Sequence, residues 1–280
     1  MSDLLARSTA HWSEAGRAGM EAFYTLATDD YRHLAQARDW CSFFEKAQAR
    51  VGERPLRLLD VACGSGKFPN ALARYTGLLE AQLQPVVTAL LDPSAFSIAE
   101  AKAALPPFFR PAEEFETTLQ DFRPPDDGYD IVWATHALYA IPEAELAAAL
   151  QQFHAAIAPG GAGIIAHSAE AGHYVTFHRH YLAAFGSDNA APYISAEIIV
   201  DTLHEAGFSV DVQVVNYDSV ANVDETGAVE GFLQRCVFDD RITLNEMQAT
   251  EPLASYLSGC RDSEGWRFTQ KVWLITVTKQ

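Results

Sequence analysis

The chain has 280 residues, a formal net charge of −17, and 49% hydrophobic against 20% charged residues. That length suits one large α/β domain with additions, or two small domains, of ordinary soluble composition. The acidic balance repels polyanions at long range, which disfavours DNA, RNA and anionic membrane surfaces as partners.

Cys41, Cys63, Cys236 and Cys260 are widely scattered and form no Cys-x-x-Cys pair. Neither a zinc site nor a disulfide framework is expected. The N-terminus carries no signal-peptide pattern, and no apolar run reaches membrane-spanning length. A reduced cytoplasmic protein without a metal is the expectation.

Residues 1–50 have a helical pattern, with Thr9 or Ser13 as a cap and Met20, Phe23, Tyr24 and Leu26 near helical spacing. Asp29 and Asp30 are expected to break this pattern before a second helix over residues 31–51. Two readings stand side by side. The segment is a cover on the sheet edge, or a lid with Trp12, Tyr24, Tyr31 or Trp40 lining a pocket. Tyr24 is the first choice for a pocket residue.

Residues 56–68 read Leu-Arg-Leu-Leu-Asp-Val-Ala-Cys-Gly-Ser-Gly-Lys-Phe. A short apolar run, Leu56 to Val61, fits a central parallel strand. Gly64 and Gly66 lack a Cβ and let the backbone turn sharply and approach a ligand. A helix from Lys67 to Arg74 then points its first amides into the crevice at the strand end. A dinucleotide-binding Gly-x-Gly-x-x-Gly fails here, because Pro69 holds the third glycine position. The alternative is a glycine turn without a ligand.

Val86 to Leu91 is the second apolar strand and ends at Asp92, whose carboxylate suits the two hydroxyls of a ribose. Pro93 and Ser94 open a helix over residues 94–104, for which Asp92 is alternatively a plain N-cap. Phe115 to Leu119 reads as a third strand, followed by Gln120, Asp121 and Phe122. Tyr129 to Trp133 is the fourth, and Ala134-Thr135-His136-Ala137-Leu138-Tyr139 lies at its carboxyl end. Residues 142–158 form an amphipathic helix, Pro159-Gly160-Gly161 ends it, and Gly163 to His167 is the fifth strand.

Residues 168–190 are polar, aromatic and rich in histidine. His173, Tyr174, His178, His180 and Tyr181 form an acid/base group, an aromatic wall or a solvated helix start. The spacing of His173 and His180 alone does not make a metal site, which needs converging ligands. A helix over residues 195–206 closes at Gly207. Phe208 to Tyr217 is a sixth strand, residues 224–259 are helical, and Phe268 to Thr278 is the last strand.

Asp60, Gly64 and Gly66 match the first motif, Asp-x-x-x-Gly-x-Gly, of class I S-adenosylmethionine-dependent methyltransferases, and the chain resembles that family. The run from Tyr129 through Pro159-Gly160-Gly161 to Ile165 is a second landmark. The resemblance covers about residues 50–220 and 266–280. The interval from the glycine turn to Asp92 is longer than the family pattern, which implies an extended connection around residues 77–84. The resemblance implies an α/β, Rossmann-like fold: a mainly parallel seven-stranded sheet with an antiparallel last strand. An N-terminal helical cap or lid (1–50) precedes a methyltransferase domain (51–280), which carries a helical insertion at about 224–262.

The resemblance also implies S-adenosyl-L-methionine as cofactor. Asp60, Ala62, Gly64, Ser65 and Gly66 would hold it at the first turn, with Asp92 and Pro93 at the ribose. Gln120, Asp121 and Phe122 would hold the adenine, with Thr135 at the fourth strand tip. The catalytic candidates are His136 as a base near neutral pH, Tyr139 to orient an acceptor, and Tyr24. The Asp-Asp-Asn arrangement of metal-dependent catechol-type enzymes is not evident. The aromatics and the acidic charge favour a small, uncharged or cationic methyl acceptor, such as a specialised metabolite, reacting at nitrogen or oxygen. The alternatives are a cyclase or rearrangement catalyst on the same fold, and a non-catalytic cofactor-binding partner.

Overall fold

The computed structural model describes residues 3–186 and 191–279. Residues 187–190, at the end of the histidine-rich stretch, lie outside the described residues.

Strand β1 (Arg57–Val61) is buried at every residue after Arg57. Both faces of the sheet are covered there, so the strand is apolar on both sides rather than alternating. It pairs in parallel with β2 (Val86–Asp92) and, on its other side, with β4 (Tyr129–Thr135). β3 (Phe109–Glu116) flanks β2, and β5 (Ile157–Ser168) flanks β4, again in parallel. β6 (Ser209–Asn222) and β7 (Gly265–Thr278) form a long hairpin in which β7 runs antiparallel to both β5 and β6. The order is β3-β2-β1-β4-β5-β7-β6. This is the expected Rossmann-like sheet, and the chain order reverses between β1 and β4.

Three helices precede the sheet: α1 (Asp3–His11), α2 (Arg17–Gln36) and α3 (Trp40–Val51). Between strands come α4 (Lys67–Tyr75), α5 (Ala95–Ala104), α6 (Glu143–Ala156), α7 (His173–Phe185) and α8 (Ala196–Glu205). The insertion between β6 and β7 holds α9 (Thr226–Cys236), α10 (Leu244–Ala249) and α11 (Leu253–Gly259).

The alternation of side chains along β1 sorts the core into two layers. Leu58 packs with Trp40, Phe44 and Phe68 from α3 and α4. Leu59 and Val61 pack with Leu150, Phe153 and Ile199 from α6 and α8. A third cluster joins α2, α7, the insertion and β7 through Leu26, Phe177, Phe232 and Phe268.

The hairpin explains where the insertion sits. β5 pairs with β7 only as far as Ser168 and Val272, whereas the β6–β7 ladder continues to Asn222 and Gly265. The hairpin therefore projects past the carboxyl end of β5 and carries α9–α11 over that end of the sheet. There α9 crosses α2 closely: Gly231 faces Ala22, where a Cβ on the glycine would come within 2.6 Å of the alanine Cβ.

Three expectations need correction. Pro159-Gly160-Gly161 does not end a helix, because α6 stops at Ala156 and these three residues lie inside β5. Asp29 and Asp30 do not break a helix, because α2 runs straight through them. Asp29 binds Arg32 in the next turn, with Nη2 to Oδ2 at 2.6 Å, so it supports the helix. The break falls instead at residues 37–39, where the Asp39 carboxylate accepts from the Ser42 N–H at 3.0 Å and caps α3. The third strand lies at Phe109–Glu116, not at residues 115–119. It is an edge strand with mostly exposed or half-buried residues and Pro111 within it, so it lacks an apolar run. Leu119 and Phe122 are buried in the turn that follows.

Candidate active site

The carboxyl ends of β1, β2 and β4 come together by register. Val61 is paired with Leu91 on one side and with Ala134 on the other. All three strands end within one residue of these pairs, and the segments that follow line one large cavity. Three non-glycine residues that line it adopt left-handed backbone: Ala62 (φ 51°), His136 (φ 52°) and Phe238 (φ 50°). Such strain persists only where the surroundings enforce it, and it concentrates at functional sites.

The first turn is tied to the second strand. The Gly64 N–H donates to Asp92 Oδ2 at 3.1 Å, and the Ser94 N–H donates to Oδ1 at 2.9 Å. Ser94, not Asp92, caps α5, accepting from the Ser97 N–H. Asp92 thus ties the glycine turn to the residue that caps α5 without being the cap itself. Gly64 has φ +52°, and a Cβ on it would meet only Tyr24 Oη and the Ala62 carbonyl oxygen, at 3.9 and 4.0 Å. It leaves an open cradle. Gly66, with φ +68°, starts α4 and packs against Ala101 of α5, where a Cβ would come within 3.2 Å of the carbonyl oxygen.

Helix α2 closes the cavity from the opposite side through Phe23, Tyr24, Ala27, Asp30 and Tyr31. Ser65 Oγ donates to Tyr24 Oη at 3.1 Å. Lys67 Nζ lies 4.3 Å from the centre of the Tyr24 ring, a cation–π contact. Arg235 reaches in from α9 and holds the α1–α2 junction. Its Nη1 donates to the His11 carbonyl and its Nη2 to the Gly16 carbonyl, the latter at 2.8 Å. Gly19 leaves the space for this guanidinium, since a Cβ there would come within 2.4 Å of Nη2.

The far end of the cavity is aromatic. The Ser168 N–H donates to Tyr139 Oη at 3.2 Å, and that oxygen lies 3.0 Å from His136 Nδ1. His136 Nε2 has no hydrogen-bond partner among the described residues. Tyr31 stands edge-on to the His136 ring, and Tyr174 lies beside it at 5.7 Å.

Burial dominates the electrostatics. It pushes Asp60 up to about 8, with the nearby Asp92 adding to the shift, and Asp92 itself to about 6. It pushes Asp30 up to about 7 and Tyr24 to about 12. Enclosure drives His136 down to about 3, so its ring is neutral near pH 7 and a weak base.

Most of the residues singled out from the sequence meet here. Asp60, Ala62, Gly64, Ser65, Asp92, Pro93, Gln120, Thr135, His136, Tyr139 and Tyr24 all line the cavity. Gly66, Asp121 and Phe122 are outside its lining. Asp121 is exposed and accepts from Thr118 Oγ1 at 2.9 Å, while Phe122 is buried in the core. Leu119 lines the wall beside Gln120 instead. Of the histidine-rich helix, only Tyr174 reaches the cavity. His173 accepts or donates at Tyr256 Oη, 2.8 Å away, and His178 stacks on Tyr193. Asp30, Lys67 and Arg235 were missed. The spacing 23, 24, 27, 30, 31 is a helical stripe, and an aspartate inside it was the signal for Asp30.

The sheet order and a glycine turn at the point where that order reverses define a Rossmann-like α/β protein with its ligand crevice at the carboxyl ends of the strands. The chain matches the methyltransferase domain family over residues 31–213, more than half its length, and belongs to that family. No curated protein matches it. Among solved structures it is similar to magnesium protoporphyrin IX methyltransferase from Synechocystis PCC 6803, which has S-adenosylhomocysteine bound. That likeness covers 99% of this chain and 100% of the other, with 14% identity and a TM-score of 0.55. The YcgJ protein from Bacillus subtilis is similar over 84% of this chain and 97% of its own, with 14% identity and a TM-score of 0.53. The plantazolicin methyltransferase BpumL, also in complex with S-adenosylhomocysteine, covers 99% and 96% at 11% identity, with a TM-score of 0.50. At these identities the likeness concerns the fold.

Proposed function

We propose that this protein is an S-adenosylmethionine-dependent methyltransferase that modifies a nitrogen or oxygen of a small molecule. The observation that carries the reading is the Gly64–Asp92 hydrogen bond at 3.1 Å, which joins two strand tips into one open cradle inside the cavity. The residues present fit the cofactor. Asp60 and Asp92 are buried carboxylates, and the described ion pairs include neither. Asp92 suits the ribose hydroxyls and Asp60 the ammonium of the amino-acid tail. Leu119 joins Gln120 at the adenine, in place of Asp121 and Phe122, which stand outside the cavity lining.

When bound, the cofactor supplies a methyl group already activated by its sulfonium. The protein's work is then alignment and exclusion of water. Holding two reactants in line accounts for about 7–11 kcal/mol of barrier. Tyr24 and Arg235 keep the N-terminal helices closed over the cradle. His136 and Tyr139 sit beyond the tip of β4 and orient the acceptor through hydrogen bonds.

Incubation with labelled cofactor and a panel of amines and phenols tests the reading. Methylated product with S-adenosylhomocysteine supports it. Substrate conversion without S-adenosylhomocysteine favours a cyclase or rearrangement catalyst. Cofactor binding with no turnover favours a non-catalytic partner.

A further inference from the structure

Asp30 lies on the cavity face of α2, one turn beyond Ala27 and next to Tyr31. It is only 2% exposed. Among the described residues it takes part in no ion pair. Its donors are neutral hydroxyls. Tyr174 Oη donates to Oδ2, and Ser219 Oγ lies at 3.5 Å from Oδ1. A buried carboxylate without a counter-charge is costly, and the cost is relieved when a cation arrives.

The groups that face it carry no such cation. Tyr31 on α2, Tyr174 on α7, Tyr217 on β6, Cys236 on α9 and Tyr139 beyond β4 are all pushed up by burial and stay neutral near pH 7. His136 is neutral there too, being held down to about 3. Asp29, the neighbouring acid on α2, is held low by its Arg32 partner. Burial holds Asp30 itself near 7. Asp60, Asp92, Lys67 and Arg235 line the same cavity, and Asp30 is the acid that lies among its tyrosines, whose ring faces attract cations.

We propose that Asp30 anchors the methyl acceptor through a protonated amine, so that the acceptor is a cationic small molecule. The proposal rests on the methyltransferase reading above, with the acceptor end of the cavity beyond His136. Binding of an ammonium ion restores the ionised carboxylate, so a proton leaves the site when the pH is at or below neutral.

Calorimetry on protein saturated with S-adenosylhomocysteine tests this. The probes are primary ammonium ions, from methylammonium to 2-phenylethylammonium, each against the alcohol of matched shape. In the wild type at least one ammonium ion is expected to bind about tenfold or more tightly than its alcohol. Proton release, read from the dependence on buffer ionisation, is expected at about pH 6.5 and absent at about pH 8.5. Asp30→Asn is expected to lose both the preference and the release while binding S-adenosylhomocysteine as before. If no ammonium ion outbinds its alcohol in the wild type, the proposal is overturned, whether or not the variant folds. It is equally overturned if Asp30→Asn keeps the preference. Failure of S-adenosylhomocysteine to bind the wild type would overturn the cofactor reading instead.

Discussion

Ser65 Oγ donates to Tyr24 Oη at 3.1 Å, and this bond links the glycine turn to the N-terminal helix that covers it. The tyrosine is neutral at any ordinary pH, since burial raises it to about 12. Its hydroxyl serves as a latch between α2 and the first turn, with Lys67 against the same ring.

Tyr24→Phe is expected to keep the ring contacts and lose the latch. A neutral hydrogen bond contributes about 0.5–1.5 kcal/mol. Affinity for S-adenosylhomocysteine is therefore expected to fall by about 2- to 12-fold, with the melting curve little changed. Tyr24→Ala, which also removes the ring, should fall further. Calorimetry on both variants checks this, and equal affinity in all three proteins would remove Tyr24 from the site.

His136→Ala separates acceptor chemistry from cofactor binding. Loss of an oriented partner to a charged or developing charge costs about 1.5–3 kcal/mol, or roughly 10- to 150-fold in kcat. The dissociation constant for S-adenosylhomocysteine should stay within about threefold. Because the ring is already neutral at pH 7, the pH profile of kcat should keep its shape in the variant. An ionisation near pH 6.5 that vanishes with the side chain would make His136 the base after all.

The buried acids and histidines act with opposite signs on stability. Asp30, Asp60 and Asp92 are raised to about 7, 8 and 6, so the folded chain keeps protons that the unfolded chain releases above pH ~4. Their contribution weakens folding as the pH rises toward 8. His136, His173 and His178 are lowered to about 3, and His167 to about 4, so the unfolded chain binds protons below pH ~6.5 that the folded chain lacks. Their contribution weakens folding as the pH falls. Between about pH 4 and 6 the four histidines outweigh the three aspartates by about one proton, so stability rises with pH there, and the aspartates take over as the unfolded histidines lose their protons above about pH 6.5. Urea unfolding of the ligand-free protein should therefore show a maximum near pH ~6.5 and a decline toward pH ~8. Rising stability over that upper interval would contradict the assignment.

Much of this architecture was legible in the sequence, and for physical reasons. β1, β2 and β4 are covered on both faces, so each is written as an apolar run that ends at a polar or turn residue. Asp60, Gly64 and Asp92 stand at the ends of those runs, which is why order along the chain located the cradle. β3 was misplaced because an exposed edge strand needs no apolar run, and Arg110, Glu113 and Glu114 hide it. Asp121 and Phe122 were named from the strand end that this misplacement implied. Asp30 was read as a helix breaker from its residue type. Its meaning depends on the third cluster, which brings α7, α9 and the projecting hairpin against α2 from distant parts of the chain. No local pattern reports that packing. Arg235 is hidden for the same reason, since the carbonyls it binds, at His11 and Gly16, lie more than two hundred residues away.

The most direct test is a calorimetric titration of S-adenosylhomocysteine into the wild type and Asp92→Ala. Asp92 holds the Gly64 amide and faces the same cavity, and hydrogen bonds to a charged group contribute about 1.5–3 kcal/mol. The wild type should bind one equivalent, and the variant, still folded by its melting curve, should bind about 10- to 150-fold more weakly. No binding by the wild type, or the same affinity in the variant, would contradict the account.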